Sequence, residues 1–200
     1  MNVNTLKATA DDLKLEGENK ERAIKLLLWI GQVSIGMMFA GLTSGYIVRR
    51  DAGNWLTFGL PTAFFISTAV ILISSITMNM AVQAAKKDSQ SAIIRSILLT
   101  LLLGIVFGIS QFIAWKALIR SNVYFTGTQS NAAGSFLYVI TGLHLAHILG
   151  GIIALIITFF KARAKKYSPA NYFGIRLCAI YWHFLDGLWI YLFVFMLILR

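Results

Sequence analysis

The 200-residue chain contains a single cysteine, Cys178. That excludes an intramolecular disulfide and any metal site built from clustered thiolates. Its apolar neighbours mark it as a buried, inert thiol. Charge is equally scarce. Asp, Glu, Lys and Arg make up 13% of residues, against roughly 25% in an ordinary soluble domain. Apolar and aromatic residues make up 58%, and the mean hydropathy is +0.72. Intrinsic disorder is excluded, because it requires low hydrophobicity and high charge. A soluble globule is excluded as well, because so much exposed apolar surface would aggregate. The solvent of this chain is therefore lipid. At about 20 residues per spanning helix, its length holds five or six spans and no separate soluble domain.

The few charges that remain delimit the spans. Residues 1–23 form a polar N-terminal segment, read as a surface element with helical character. It is not a signal peptide, because the apolar stretch comes too late and runs too long. Residues 24–200 form the membrane domain. Its spans lie at about 26–48, 60–82, 96–115, 136–160 and 177–199, each closed by Lys or Arg. Pro61 suits the entry to the second span. Runs this long, apolar on every face, predict helices rather than the alternating ten-residue strands of a barrel. The expected fold is an all-α bundle of five transmembrane helices.

An odd number of spans puts the termini on opposite sides. The N-terminal segment and the loops near 83–95 and 161–176 then share one side and hold thirteen of the eighteen Lys and Arg. The other side holds Arg49, Arg50, Lys116, Arg120 and Arg200. The positive-inside rule places the N-terminus in the cytoplasm and the C-terminus in the periplasm. The net charge of +10 is thereby read as loops facing anionic lipid, not as a nucleic-acid surface.

Polar groups at bilayer depth carry the most information, because they are costly there. Spans 1 to 3 contain no carboxylate. Spans 4 and 5 hold two pairs, His144 with His147 and His183 with Asp186, each three residues apart and so on one helix face. Asp186 lies ten residues from Arg176, about 15 Å into the membrane. Consecutive spans are antiparallel neighbours, so the two pairs are placed to meet. Three chemistries are open to them: haem or metal ligation by imidazole, a proton or ion relay, and a polar clamp joining spans 4 and 5. A two-haem bundle needs four histidines and only three exist. A relay needs partners across the membrane. The clamp asks nothing further of the chain. Gln111 is a candidate for an interhelical hydrogen bond. Gly41 with Gly45, and Gly104 with Gly108, have the four-residue spacing that lets helices approach closely. Trp182 and Trp189 lie inside span 5 and are expected to pack on a partner helix. No internal repeat is visible, and the inverted repeats of many transporters are absent.

The last two spans also carry motifs. Thr141-Gly142-Leu143-His144-Leu145-Ala146-His147 is followed by Tyr181-Trp182-His183-Phe184-Leu185-Asp186-Gly187-Leu188-Trp189. Both resemble subunit III of the haem–copper cytochrome oxidases, in the family's order and at its distance. Phe39-Ala40-Gly41-Leu42 with Tyr46, Leu60-Pro61 with Ser74-Ser75, and Gln111 extend the resemblance over all five spans, in the manner of the short bacterial form. Ile35 and Ala114 stand where many members carry carboxylates, so no role of those groups transfers.

The resemblance implies an accessory subunit of a bacterial respiratory terminal oxidase of aa3 type, a cytochrome c or quinol oxidase in the inner membrane. Such a subunit is not itself the catalyst. It binds no metal, the haems and copper residing in partner subunits. It stabilises catalytic subunit I, supports proton uptake and holds phospholipid in a cleft. Subunits I and II are the implied partners, within the reach of a larger respiratory supercomplex. Analogy puts the subunit I contact on the first two spans, where Gly36, Gly41 and Gly45 suit close approach. A different class, an independent proton-coupled transporter using His144, His147, His183 and Asp186, is the competing reading.

Overall fold

The computed structural model describes residues 3–51, 53, 55–128 and 130–199, with side chains from residue 15 onward. Arg200, which closes the fifth apolar run, lies outside the described residues. The chain forms five α-helices: α1 Val3–Asp51, α2 Thr62–Lys86, α3 Gln90–Arg120, α4 Ala132–Arg163 and α5 Phe173–Leu199. Each is long and apolar enough to cross a membrane. Among the described residues the only β pairing is an isolated bridge between Ser168 and Asn171.

The helices run past the apolar stretches at both ends. Backbone hydrogen bonding continues into the interfacial layer, where Lys and Arg stems reach water. The most extended case is α1, whose 49 residues span about 74 Å at the helical rise. It passes from the polar segment into the membrane without a break at residue 24, so that boundary is one of composition and not of backbone. Elsewhere local chemistry sets the ends. Pro61 precedes the first turn of α2. Asn131 caps α4, its Oδ1 accepting the Ala133 N–H at 3.0 Å.

Helices α2, α3, α4 and α5 close into a ring in which each packs on its two neighbours, the α2–α3 hairpin being the most extensive pair. Helix α1 stands outside the ring, against α4 and α5, and makes no contact with α2. It is held by polar contacts on α5. Gln32 Nε2 donates to the Ile180 carbonyl at 3.2 Å. The Thr43 and Tyr191 hydroxyls meet at 2.9 Å. The Tyr46 hydroxyl donates to the Leu199 carbonyl at 3.2 Å. The outer face of α1, including Leu27, Trp29, Val33 and Met37, is exposed. A Thr43→Val substitution removes one of these three contacts and should lower the thermal midpoint of the purified protein by a few degrees, from a net hydrogen-bond contribution of about 1 kcal/mol. A Tyr191→Phe variant should show the same loss, and the pair together no more than either alone.

The connections sort by end. Lys25 of α1 sits 5.6 Å from the Phe173 ring centroid at the start of α5, and Gln90 Nε2 at the start of α3 donates to the Ala162 carbonyl near the end of α4. The basic N-terminal segment, α2–α3 loop and α4–α5 loop thus lie at one end. At the other end, the Leu56 N–H reaches Asn131 Oδ1 at 3.4 Å.

Candidate functional site

The centre of the four-helix ring is filled by two indoles from α5, Trp182 and Trp189, both with no exposed surface. They are seven residues apart and so stack on the inward face of the helix. Glycines on the facing helices make room for Trp182. A Cβ on Gly104 of α3 would lie 2.7 Å from its ring, and one on Gly151 of α4 would lie 3.1 Å away. The Trp182 Nε1–H donates to Ser74 Oγ of α2 at 3.0 Å. One side chain therefore touches the other three helices of the ring. Trp189 repeats the arrangement one layer on. Its Nε1–H donates to Thr68 Oγ1 at 3.0 Å, and its ring meets Phe64 of α2 and Phe107 of α3.

The two polar pairs occupy different surroundings. His144 has no exposed surface, and its imidazole lies 5.1 Å from Trp189, tilted by 32°, with Phe39 and Phe107 edge-on at 6.3 and 6.0 Å. Neither ring nitrogen has a hydrogen-bond partner; the side chain fills space as an aromatic ring. His147 points Nδ1 at the Leu143 carbonyl one turn back, at 2.7 Å, and packs against Phe39 at 5.9 Å. His183 turns instead to α2. Its Nε2–H donates to Asn79 Oδ1 at 3.2 Å, and its Nδ1 pairs with the Ser75 hydroxyl at 2.7 Å. The Asp186 carboxylate, 3% exposed, lies 3.8 Å from the same Nδ1 and has no hydrogen bond.

The two pairs take different partners. The His183 imidazole joins α5 to α2 through Asn79 and Ser75. His144 packs on Trp189 of α5, in an aromatic layer shared with Phe39 of α1 and Phe107 of α3, and the Tyr181 hydroxyl of α5 donates to the His147 carbonyl at 3.4 Å. The α2 partners went unread because hydroxyl and amide residues pass as ordinary members of an apolar helix. A signal was nevertheless present: Thr68, Ser75 and Asn79 recur at seven and four residues, one face of a helix.

The geometry limits the chemistry. Ser75, His183 and Asp186 are the residue types of a nucleophilic triad, but Ser75 and Asp186 both face Nδ1. A triad needs its serine on one ring nitrogen and its carboxylate on the other, so no relay to Ser75 exists. No hydrogen bond links His183 to His144, whose ring nitrogens have no partner. Among the described residues no three His, Cys, Asp or Glu side chains form a group able to hold a metal.

The remaining sequence candidates separate as follows. Gln111 is fully buried on α3 and its amide has no partner. It lies between Gly108, whose added Cβ would sit 3.7 Å from Leu145, and Trp115, whose Nε1–H donates to Thr141 Oγ1 at 3.0 Å. Gly45 faces the Phe136 ring, with 3.6 Å for a Cβ, whereas Gly36 and Gly41 face open space. Gly134, which admits Val123 and the Tyr124 carbonyl, and Gly174, which admits the Tyr167 ring, are tight glycines that spacing did not reveal.

Comparison with known proteins bears on the whole arrangement. The family model for cytochrome c oxidase subunit III matches residues 56–199. A probable cytochrome c oxidase subunit 3 from Nocardia farcinica is 33% identical over 181 residues, covering 86% of this chain and 84% of its own. One from Mycobacterium tuberculosis is 32% identical over 184 residues, with 89% and 88% covered. The subunit from Aedes aegypti is 33% identical over 132 residues, covering 64% of this chain and 47% of its own. The motif-bearing α4 and α5, folded side by side around Trp182, fall wholly within the matched region, and the chain belongs to the cytochrome c oxidase subunit III family.

Proposed function

We propose that this chain is the accessory, redox-inactive subunit III of a bacterial haem–copper terminal oxidase of aa3 type. It braces catalytic subunit I, with subunit II in the same complex, and supports proton uptake during oxygen reduction. The observation that carries this reading is that the family's two signature motifs build the packing centre of the fold and not a reaction centre. Trp182, Trp189 and His144 are consumed in helix packing, and His183 in joining α5 to α2, with Asp186 beside it. The chain is an inner-membrane protein whose N-terminus and two basic loops face the cytoplasm, supported by the thirteen-to-five partition of Lys and Arg. The polar residues of the site are structural: His144, His147, His183 and Asp186 set helix positions, and Gly45, Gly104 and Gly108 set helix approach. Phospholipid suits a groove of about 430 Å³ lined by Leu28, Ala154, Ile157, Leu177 and Tyr181 with Lys161 at its basic end. The independent-transporter alternative lacks a connected polar file, because no hydrogen bond links the His183 group to His144.

Purification through a tag on this chain in mild detergent tests the reading. A haem-containing partner with a Soret band is the expected companion. Recovery of the chain alone from aerobically grown cells would overturn it.

A further inference from the structure

Helices α1 and α2 flank α5 without touching each other, which leaves a strip of α5 uncovered between them. Along that strip lie Ile180, His183, Gly187, Ile190 and Val194. Their spacing of three, four, three and four residues is the heptad seam on which a further helix packs. Val194 is 43% exposed and Ile190 37%, and a Cβ on Gly187 would meet nothing within 4 Å. Toward the end distant from the basic loops the strip opens into a concavity of about 440 Å³ lined by α5 alone, including Ile190, Val194 and Ile198. The α2 wall repeats every seven residues as Phe65, Leu72 and Asn79, all exposed.

The inner half of this groove is polar. Asn79 stands seven residues before Lys86 and His183 seven after Arg176, each about 10 Å along the helix from a cationic end. The His183 side chain is 30% exposed. Asn79 is exposed and uses its Oδ1 on His183, and its amide N–H groups have no partner among the described residues of the chain. Acyl chains offer these donors nothing, and an unsatisfied donor in hydrocarbon is costly. A helix with an oxygen acceptor satisfies them while its apolar face fills the seam.

We propose that the groove between α1 and α2, floored by α5, receives a transmembrane helix of a neighbouring subunit that carries a hydrogen-bond acceptor opposite Asn79. The proposal rests on the oxidase-subunit reading and identifies where that contact is made. It extends the analogy-based contact on the first two spans to the floor supplied by the fifth.

The test places a photoreactive benzophenone side chain at Val194, at Leu72 or, as a control on the far side of the bundle, at Ile113. The intact complex is illuminated before purification through a tag on this chain. Val194 and Leu72 should join a transmembrane peptide of a haem-bearing or associated oxidase subunit at least tenfold more strongly than Ile113. An Asn79→Leu change should reduce the Val194 product several-fold at an unchanged membrane level of the chain. If the haem protein co-purifies but Val194 and Leu72 react only with lipid or a second copy of this chain, the groove assignment falls and the subunit reading stands. An undiminished product with Asn79→Leu removes the polar part of the proposal. Absence of any haem protein overturns the subunit reading and this proposal together.

Discussion

Replacing Trp182 by alanine should lower the thermal midpoint of the purified protein by about 10 °C. The indole contacts Ser74 of α2, Gly104 of α3 and Gly151 of α4, so its loss opens a void against three helices at once. In lipid there is no water to expel between helices. Association rests on van der Waals packing and interhelical hydrogen bonds, and both are lost here. Large-to-small changes at such sites cost about 3–5 kcal/mol in soluble cores. A chain of this size shifts by about 2–4 °C per kcal/mol. The fit is two-sided, because the glycines exist to admit the ring. Gly104→Leu alone should also destabilise, by overpacking. Combined with Trp182→Ala it should recover part of the loss, because the added side chain enters the vacated space. A change of less than 2 °C for Trp182→Ala would remove Trp182 from the centre of the fold.

The second large effect concerns a pair. Asp186 is buried, and among the described residues His183 is the one ionisable partner within reach of its carboxylate, at 3.8 Å. His183→Leu should destabilise by about 3–5 kcal/mol, because it leaves an uncompensated buried carboxylate. The double variant His183→Leu, Asp186→Leu should be more stable than that single variant by about 2 kcal/mol, because apolar groups of similar volume tolerate such sites. Ser75 and Asn79 lose their partner in both variants, so their contribution cancels in the comparison. A double-mutant cycle on the purified complex, read by thermal unfolding, gives the coupling directly. Losses that simply add would show that His183 and Asp186 do not act as a pair.

Much of the architecture is legible in one dimension. Five apolar runs bounded by basic residues become five helices, since a backbone in lipid has no other way to satisfy its polar groups. The motif around Trp182 and Trp189 marks α5 as special, and α5 packs on α1, α2 and α4 while its Trp182 reaches Gly104 of α3. What spacing missed is partnership. His183 lies beside Asp186 in sequence and near α4 in connectivity, yet its hydrogen bonds go to Ser75 and Asn79, more than 100 residues away. Gly41 and Gly45 look alike on paper, but four residues turn the helix by about 40°, and only Gly45 meets another helix. Glycine spacing marks a face that permits approach and says nothing of whether a neighbour comes.

The amino-acid sequence by itself determined the solvent, the helix count, the sorting of basic loops to one end and the family, because run length, hydropathy and charge are local quantities that lipid reads directly. Only the tertiary structure decided that α2 through α5 form a closed ring around two indoles, that α1 leans outside it, and that a strip of α5 stays open between α1 and α2. Those outcomes depend on which faces interlock. A fully buried Trp182 needed Gly104 and Gly151 opposite it at once, and that coincidence exists only when four helices are brought together.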